Sequence, residues 1–461
     1  MTKTRTLSNR FFSAFFHSPA RVAVSAFFLL IWIGTALLLL PCSAAGRNLG
    51  FVDALFTSTS AACVTGLVVM DTGTALSLFG QVVVLGLIQA GGLGIMTFST
   101  FLLLLVGRRP SLTEQIVVQD SFALSGDRTF ASVLRDVFLF TAVIELIGAC
   151  LLVPKFVSQT GWAEALYLSI FHAVSAFCNA GFSLFSDSLT AYRDDWLTNL
   201  TVCLLIVSGG IGFLVLSELK RGFPLNRRAW RHLSLHTKIV LSATFLLIVL
   251  GALAFVHMEW DNTLSGLSGP ERVLAACFQS VTARTAGFNT LPFDLMANET
   301  LFVIIVLMFI GASPGSCGGG IKTTTLSSLI LLGVSRLRGY ERPRAFKRTI
   351  SMESMGKAVS MVMVSIVVVT LGAMLLLMTE LGDTSHPASR GKFIELLFET
   401  VSAFGTVGLS TGVTATLSTA GKLIVTAIMF VGRLGPLVIG VAVARHKAPD
   451  ISFAEETIMI G

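Results

Sequence analysis

Apolar residues in this chain run together over long stretches, and polar residues gather in short clusters between them. Eight such runs lie near residues 22–41, 75–106, 130–153, 196–219, 236–257, 299–332, 357–379 and 420–444. A hydrocarbon core of ~30 Å is crossed by about 20 helical residues, so each run predicts a spanning helix. Between the first two runs lies a shorter segment rich in serine, threonine and alanine, residues 51–65. Similar segments separate the third run from the fourth, the fifth from the sixth and the seventh from the eighth. None is long enough to cross, and each predicts a re-entrant helix.

Aligned, the four short segments repeat one another. Ser60-Ala61-Ala62-Cys63-Val64-Thr65-Gly66-Leu67 matches Ser175-Ala176-Phe177-Cys178-Asn179-Ala180-Gly181-Phe182 and Ser402-Ala403-Phe404-Gly405-Thr406-Val407-Gly408-Leu409. Thr282-Ala283-Arg284-Thr285-Ala286-Gly287-Phe288 is the same pattern, one residue shorter before its glycine. The glycines stand 115, 106 and 121 residues apart, close to a quarter of the chain each time. Self-similarity at such a period marks a repeated structural unit. One Ser-Ala…Gly motif would be ordinary helix packing, since small residues let membrane helices approach closely. Four at quarter-chain spacing, each between spanning segments, point to a shared pore. The expected fold is all-α and integral to the membrane, with four pseudo-symmetric helix–pore-loop–helix repeats at 1–115, 116–230, 231–348 and 349–461.

That geometry has a chemistry. A cation sheds water to pass a narrow pore, and rings of backbone carbonyls can replace the hydration shell. Turning successive carbonyls inward requires backbone angles that glycine reaches without steric cost. A re-entrant helix that ends at the loop also aims its negative dipole end at the pore centre.

Composition agrees with the pattern. Only 13% of residues are charged and the mean hydropathy is +0.80, where a soluble domain carries roughly 25% charge. The formal charge of +7 sits at the ends of apolar runs, where Lys and Arg set topology, so nucleic-acid binding is not expected. Basic residues crowd linkers 220–238 and 336–357, with Arg108, Arg109 and the N-terminus on the same side. Asp187, Asp194, Asp195, Glu259, Asp261, Asp294 and Glu380 lie on the other. Both termini are therefore expected in the cytoplasm, with the short segments dipping in from outside. The run from Val22 is too long for a secretory signal and reads as an uncleaved first helix. Seven scattered cysteines with no CxxC indicate neither a disulfide framework nor zinc.

The repeated motifs resemble the Trk/Ktr/HKT superfamily of potassium transporters, over nearly the whole chain. Members fold as four helix–pore-loop–helix units around one pore, with a glycine in each filter segment. The positions that match are Gly66, Gly181, Gly287 and Gly408. The resemblance implies potassium binding at Val64, Thr65 and Gly66; Asn179, Ala180 and Gly181; Thr285, Ala286 and Gly287; and Thr406, Val407 and Gly408. Some plant relatives carry serine at the first position and favour sodium, so four glycines imply potassium. Lacking an extra N-terminal helix pair, the chain is most similar to the Ktr membrane subunit of the bacterial plasma membrane. Such subunits are homodimers on a cytosolic nucleotide-binding ring. No cofactor is expected in this chain, and any nucleotide belongs to that separate subunit.

The glycine-rich segment Gly311-Ala312-Ser313-Pro314-Gly315-Ser316-Cys317-Gly318-Gly319-Gly320-Ile321-Lys322 interrupts the sixth run and resembles the family's gating loop. Proline and glycine at this density break a helix. Arg433, in Gly432-Arg433-Leu434-Gly435-Pro436, is similar to the family's pore-facing arginine. A charge in an apolar helix costs at least about 2.5–3.5 kcal/mol against lipid, so it is expected to face water or loop carbonyls; the alternative is snorkelling to the interface. Two other readings compete. Gly311-x-Ser313-x-Gly315 matches a hydrolase pattern, which would make Ser313 a nucleophile with His172 or His257 as base, but the context is an apolar helix rather than a strand. An alternating-access carrier also uses broken helices, in inverted repeats. Here the repeats run in one direction and only the third is expected to be strongly broken. Residues 315–323 fail as a phosphate loop because Ile321 separates the last glycine from Lys322.

Overall fold

The structure, a computed structural model, describes residues 19–94, 130–221, 227–382, 384–385 and 387–435. The N-terminal basic cluster, Arg108, Arg109, Pro436 and both termini lie outside these residues.

The described helices fall into four groups, each with a short helix between apolar flanking ones. The first holds α1 (Pro19–Leu38), α2 (Phe51–Ala62) and α3 (Leu78–Gly92). The second holds α4 (Phe130–Val157), α5 (Trp162–Phe177), α6 (Trp196–Gly210) and α7 (Phe213–Arg221). The third holds α8 (Leu235–Glu259), α9 (Gly269–Thr282), α10 (Asn298–Phe309) and α11 (Thr323–Leu337), and the fourth α12 (Met352–Leu381), α13 (Lys392–Gly405) and α14 (Thr419–Leu434). A hairpin of β1 (Arg344–Ala345) and β2 (Arg348–Thr349) joins the last two repeats. Helices starting at α3, α6, α8, α12 and α14 follow a Ser or Asp whose side chain accepts a backbone N–H of the first turn.

Among the described residues three helices are long and apolar enough to cross a membrane unbroken, within α4, α8 and α12. These are the first helices of the last three repeats. The expectation that only the third repeat's second helix is broken fails. In the second repeat α6 and α7 meet at 100°, at Gly212, whose φ is +90°. The third repeat breaks between α10 and α11, as expected. Gly94 and Gly435 also have positive φ, just past α3 and α14. The two inner breaks complete one another. Gly210 O accepts from Ser313 N at 3.0 Å, Gly209 O from Cys317 N at 3.2 Å and Gly315 O from Phe213 N at 3.1 Å. Non-helical backbone survives at membrane depth only where protein or water satisfies it, and here each interruption supplies the other's partners.

The four short helices α2, α5, α9 and α13 form the inner layer, nearly all their later residues being buried. Each carries an acid in its first turn (Asp53, Glu164, Glu271 and Glu395) where the positive end of the helix dipole favours it. The helix that follows each short helix packs on the short helix of the next repeat: α3 on α5, α6 on α9, α10 on α13. The circle closes with α14 on α2, where Lys422 Nζ meets Asp53 Oδ1 at 2.8 Å. Large apolar side chains such as Leu29, Leu146, Phe245, Leu253 and Met363 are exposed on the outer helices, as lipid-facing surface requires. Trp162, Trp196 and Trp260 lie exposed at helix ends, the pattern of an interfacial aromatic belt.

Candidate ion pathway

The four glycine loops meet at a single ring. A methyl group on Gly66 would press on the Ala180 carbonyl oxygen and sit 3.0 Å from Gly181 Cα. One on Gly181 would lie 2.9 Å from Ala286 O and 2.8 Å from Gly287 Cα. One on Gly287 would lie 2.5 Å from Val407 O and 3.2 Å from Gly408 Cα, and one on Gly408 would press on Thr65 O, 2.9 Å from Gly66 Cα. Each glycine thus faces the carbonyl preceding the next glycine, and the sequence of contacts returns to its start. Side chains have no room in the ring.

The backbone repeats with the same order. The glycines have φ of +93°, +68°, +81° and +90°, and two positions before them Val64, Asn179, Thr285 and Thr406 have +53°, +58°, +69° and +50°. Non-glycine residues in this region cost roughly 1–2 kcal/mol each, and four at equivalent positions mark a conformation the surrounding structure imposes. The Ser or Thr of each motif pins its turn. Ser60 and Ser402 Oγ accept from the N–H of Gly66 and Gly408, both at 3.1 Å. Ser175 Oγ donates to Phe182 O at 2.7 Å and Thr282 Oγ1 to Phe288 O at 2.6 Å. The shorter third motif adjusts within the turn, where Ala286 N bonds Thr282 O four residues back while the other three copies reach five back.

Above the ring opens a cavity of about 430 Å³ whose lining includes all four glycines. Asp71, Asp187 and Asp294 also line it, one each from the first three repeats, and the fourth contributes Ser410, Thr411 and Gly412. Acidic walls raise the local concentration of cations. Sequence reasoning missed Asp71 as a wall residue, and it missed Glu399. That carboxylate is buried behind the fourth loop and accepts from Ser410 and from Thr414 Oγ1, the latter at 2.9 Å. An acid inside an otherwise apolar short helix is the signal that marks it.

Beneath the ring lies the glycine-rich loop. Gly319 N donates to Thr406 Oγ1 at 3.1 Å, and a methyl group on Gly318 would collide with the Thr285 side chain. The loop therefore touches two of the four strained residues of the glycine loops directly. Lys322 Nζ folds back on the loop, donating to Gly318 O at 2.7 Å. The Arg433 guanidinium donates to Cys317 O in the loop and to Gly91 O at the end of α3. Of the two expectations for Arg433, the structure has loop carbonyls and not an escape to the interface. Ser313 is buried with its hydroxyl 2.9 Å from Thr323 Oγ1. His172 is paired with Leu168 O at 2.8 Å and Ser183 Oγ at 3.1 Å, so the hydrolase constellation is not assembled around it. Among the described residues no group of three or more His, Cys, Asp or Glu could hold a metal ion.

Four short helices and their loops around one axis, with a carbonyl-rich ring, an acidic cavity on one side and a glycine-rich loop on the other, define a membrane protein that passes cations. The chain belongs to the TrkH family of cation transport proteins, which it matches over residues 9–453. It is 41% identical to Ktr system potassium uptake protein B of Bacillus subtilis over 96% of this chain and 97% of that protein. It is 37% identical to the Vibrio alginolyticus protein of the same name over 96% and 94%. The potassium/sodium uptake protein NtpJ of Enterococcus hirae is 36% identical over 96% and 97%. In fold it is similar to the crystal structure of the potassium transporter TrkH from Vibrio parahaemolyticus, with a TM-score of 0.73 at 17% identity over 92% and 84% of the two chains. This is a transport protein and not an enzyme.

Proposed function

We propose that the chain takes up potassium through a gated, channel-like pore driven by the membrane potential. The observation that carries the reading is the closed ring of Gly66, Gly181, Gly287 and Gly408 facing the carbonyls of Thr65, Ala180, Ala286 and Val407. Backbone oxygens at such a constriction can stand in for the water a cation loses. The names of the relatives in Bacillus subtilis and Vibrio alginolyticus support potassium as the ion. Moving one charge through 100 mV is worth ~2.3 kcal/mol, enough to hold a gradient of roughly fiftyfold, so uptake needs no coupling ion.

The quarter-chain units 1–115, 116–230, 231–348 and 349–461 each contribute one filter segment. Loop 311–322 and Arg433 act as the gate: the guanidinium ties the loop across the inner mouth, and its charge opposes a passing cation. The protein sits in the bacterial plasma membrane with both termini in the cytoplasm, on the side where basic linkers crowd. It functions as a homodimer on a cytosolic nucleotide-binding ring; the naming of its relatives as parts of a Ktr system supports a partner protein in the complex.

Flux into proteoliposomes under an imposed potential tests the ion assignment. Potassium and rubidium should enter well ahead of sodium and lithium. Sodium entry equal to potassium would contradict it and favour the double specificity named for the Enterococcus hirae relative.

A further inference from the structure

The link between α11 and α12 is a hydrogen-bonded basic hairpin that the ion pathway does not use. Its root is Ser335, buried at the end of α11. Ser335 O accepts from Tyr340 N at 2.9 Å and its Oγ from Arg344 N at 3.3 Å. The β1–β2 pairing and the bond from Ile350 N to Pro343 O at 3.0 Å hold the arms together. The tip is Phe346-Lys347, both in the left-handed region at φ +50° and +63°. Hairpin turns of this kind favour Asn-Gly. A bulky aromatic there is costly, and such strain is a pointer to function.

The strain displays a particular surface. Arg336, Arg338, Arg342, Arg344, Lys347 and Arg348 are all exposed, against a single acid, Glu341, in the same stretch. Among the described residues none of the six makes an ion pair, and Arg344 instead lies 4.6 Å over the ring of Tyr340. Between the charges stand apolar side chains with no cover: Leu337 is 91% exposed, Phe346 46% and Tyr340 45%. The hairpin is short and begins and ends on helices read as membrane spans, so it lies at the membrane surface.

We propose that this hairpin binds anionic phospholipid, its arginines and lysine holding the headgroup phosphates while Phe346 and Leu337 enter the headgroup–acyl boundary. Clusters of four to eight Lys and Arg beside a membrane helix bind anionic lipid, and apolar side chains interleaved with them suit an interface with one wet and one oily side. A basic surface that served topology alone would need neither the strained turn nor the aromatic tip. The reading rests on the membrane disposition proposed above but not on its orientation.

Native mass spectrometry of the full-length protein, given equal phosphatidylglycerol and phosphatidylcholine in detergent, tests this without reference to sidedness or flux. The protein should retain phosphatidylglycerol preferentially, and added inorganic phosphate should not displace it. The quadruple variant Arg342→Gln, Arg344→Gln, Lys347→Gln, Arg348→Gln should lose retention by roughly fivefold per charge removed. Arg342→Lys with Arg344→Lys and Arg348→Lys should keep it, which separates charge from folding. Phe346→Asn should relax the turn yet weaken retention. Equal retention of both lipids by the unaltered protein, or unchanged preference in the quadruple variant, overturns the proposal. So does a variant that keeps its lipid but loses a cytosolic protein partner, which would make the hairpin a protein-docking surface.

Discussion

Gly66, Gly181, Gly287 and Gly408 are fixed by two independent constraints, a positive φ and a neighbour's backbone where a side chain would begin. Either alone carries a cost; together they mean that any side chain must both strain its own backbone and displace its neighbour's. Gly66→Ser and Gly287→Ser should each leave a folded protein, because the strain falls on a loop end and not on the packed helices. The ring should widen or skew, and the potassium-to-sodium permeability ratio should fall, roughly tenfold for each ~1.4 kcal/mol of differential coordination lost. Ion-substitution flux in proteoliposomes reads the ratio, and unchanged selectivity in both variants would contradict the filter assignment. These glycines were legible in the sequence because they recur in register with a Ser or Thr. The equally repeated conformation at Val64, Asn179, Thr285 and Thr406 was not, since the four share no side-chain chemistry and are held there by their surroundings.

At the scale of elements, the interrupted helices and the loop form one hydrogen-bonded unit. The loop takes its partners from the break between α6 and α7, from Thr406 of the fourth glycine loop, from its own Lys322 and from Arg433 of α14. Arg433→Ala removes two charge-assisted bonds, to Cys317 O and Gly91 O, each worth about 1.5–3 kcal/mol. Basal potassium flux should therefore rise tenfold or more with ion preference intact. Flux that stays low would place the gate elsewhere. Thr406→Val removes the hydroxyl that accepts from Gly319 N and should raise basal flux by a smaller factor, near fivefold for about 1 kcal/mol. Because Thr406 also lies in the fourth glycine loop, two positions before Gly408, a change in ion preference in this variant alone would show that the proposed gate and filter share a part. The loop's break was legible from Pro314 and its glycines. The second break was hidden in Gly209-Gly210-Ile211-Gly212, which passes for a packing motif. A comparison with Gly91-Gly92-Leu93-Gly94 and Gly432-Arg433-Leu434-Gly435 could have found it, since all three stretches end at a glycine of positive φ.

For the whole molecule, the order of contacts matters more than any one of them. Each repeat leans the helix that follows its short helix on the short helix of the next, and the fourth returns to the first through α14, α2 and the Lys422–Asp53 pair. A chain of four similar units closed in this way has one axis, and every short helix ends at it. The sequence implied such an axis through its period, but the direction of closure required the contacts. The central claim is that the ion sits on this axis, coordinated by backbone. Anomalous scattering from crystals grown in rubidium measures that directly. A peak should appear between the carbonyls of Thr65, Ala180, Ala286 and Val407, and it should disappear when sodium replaces rubidium. Rubidium bound only in the outer cavity beside Asp71, Asp187 and Asp294, with none at the ring, would contradict the account.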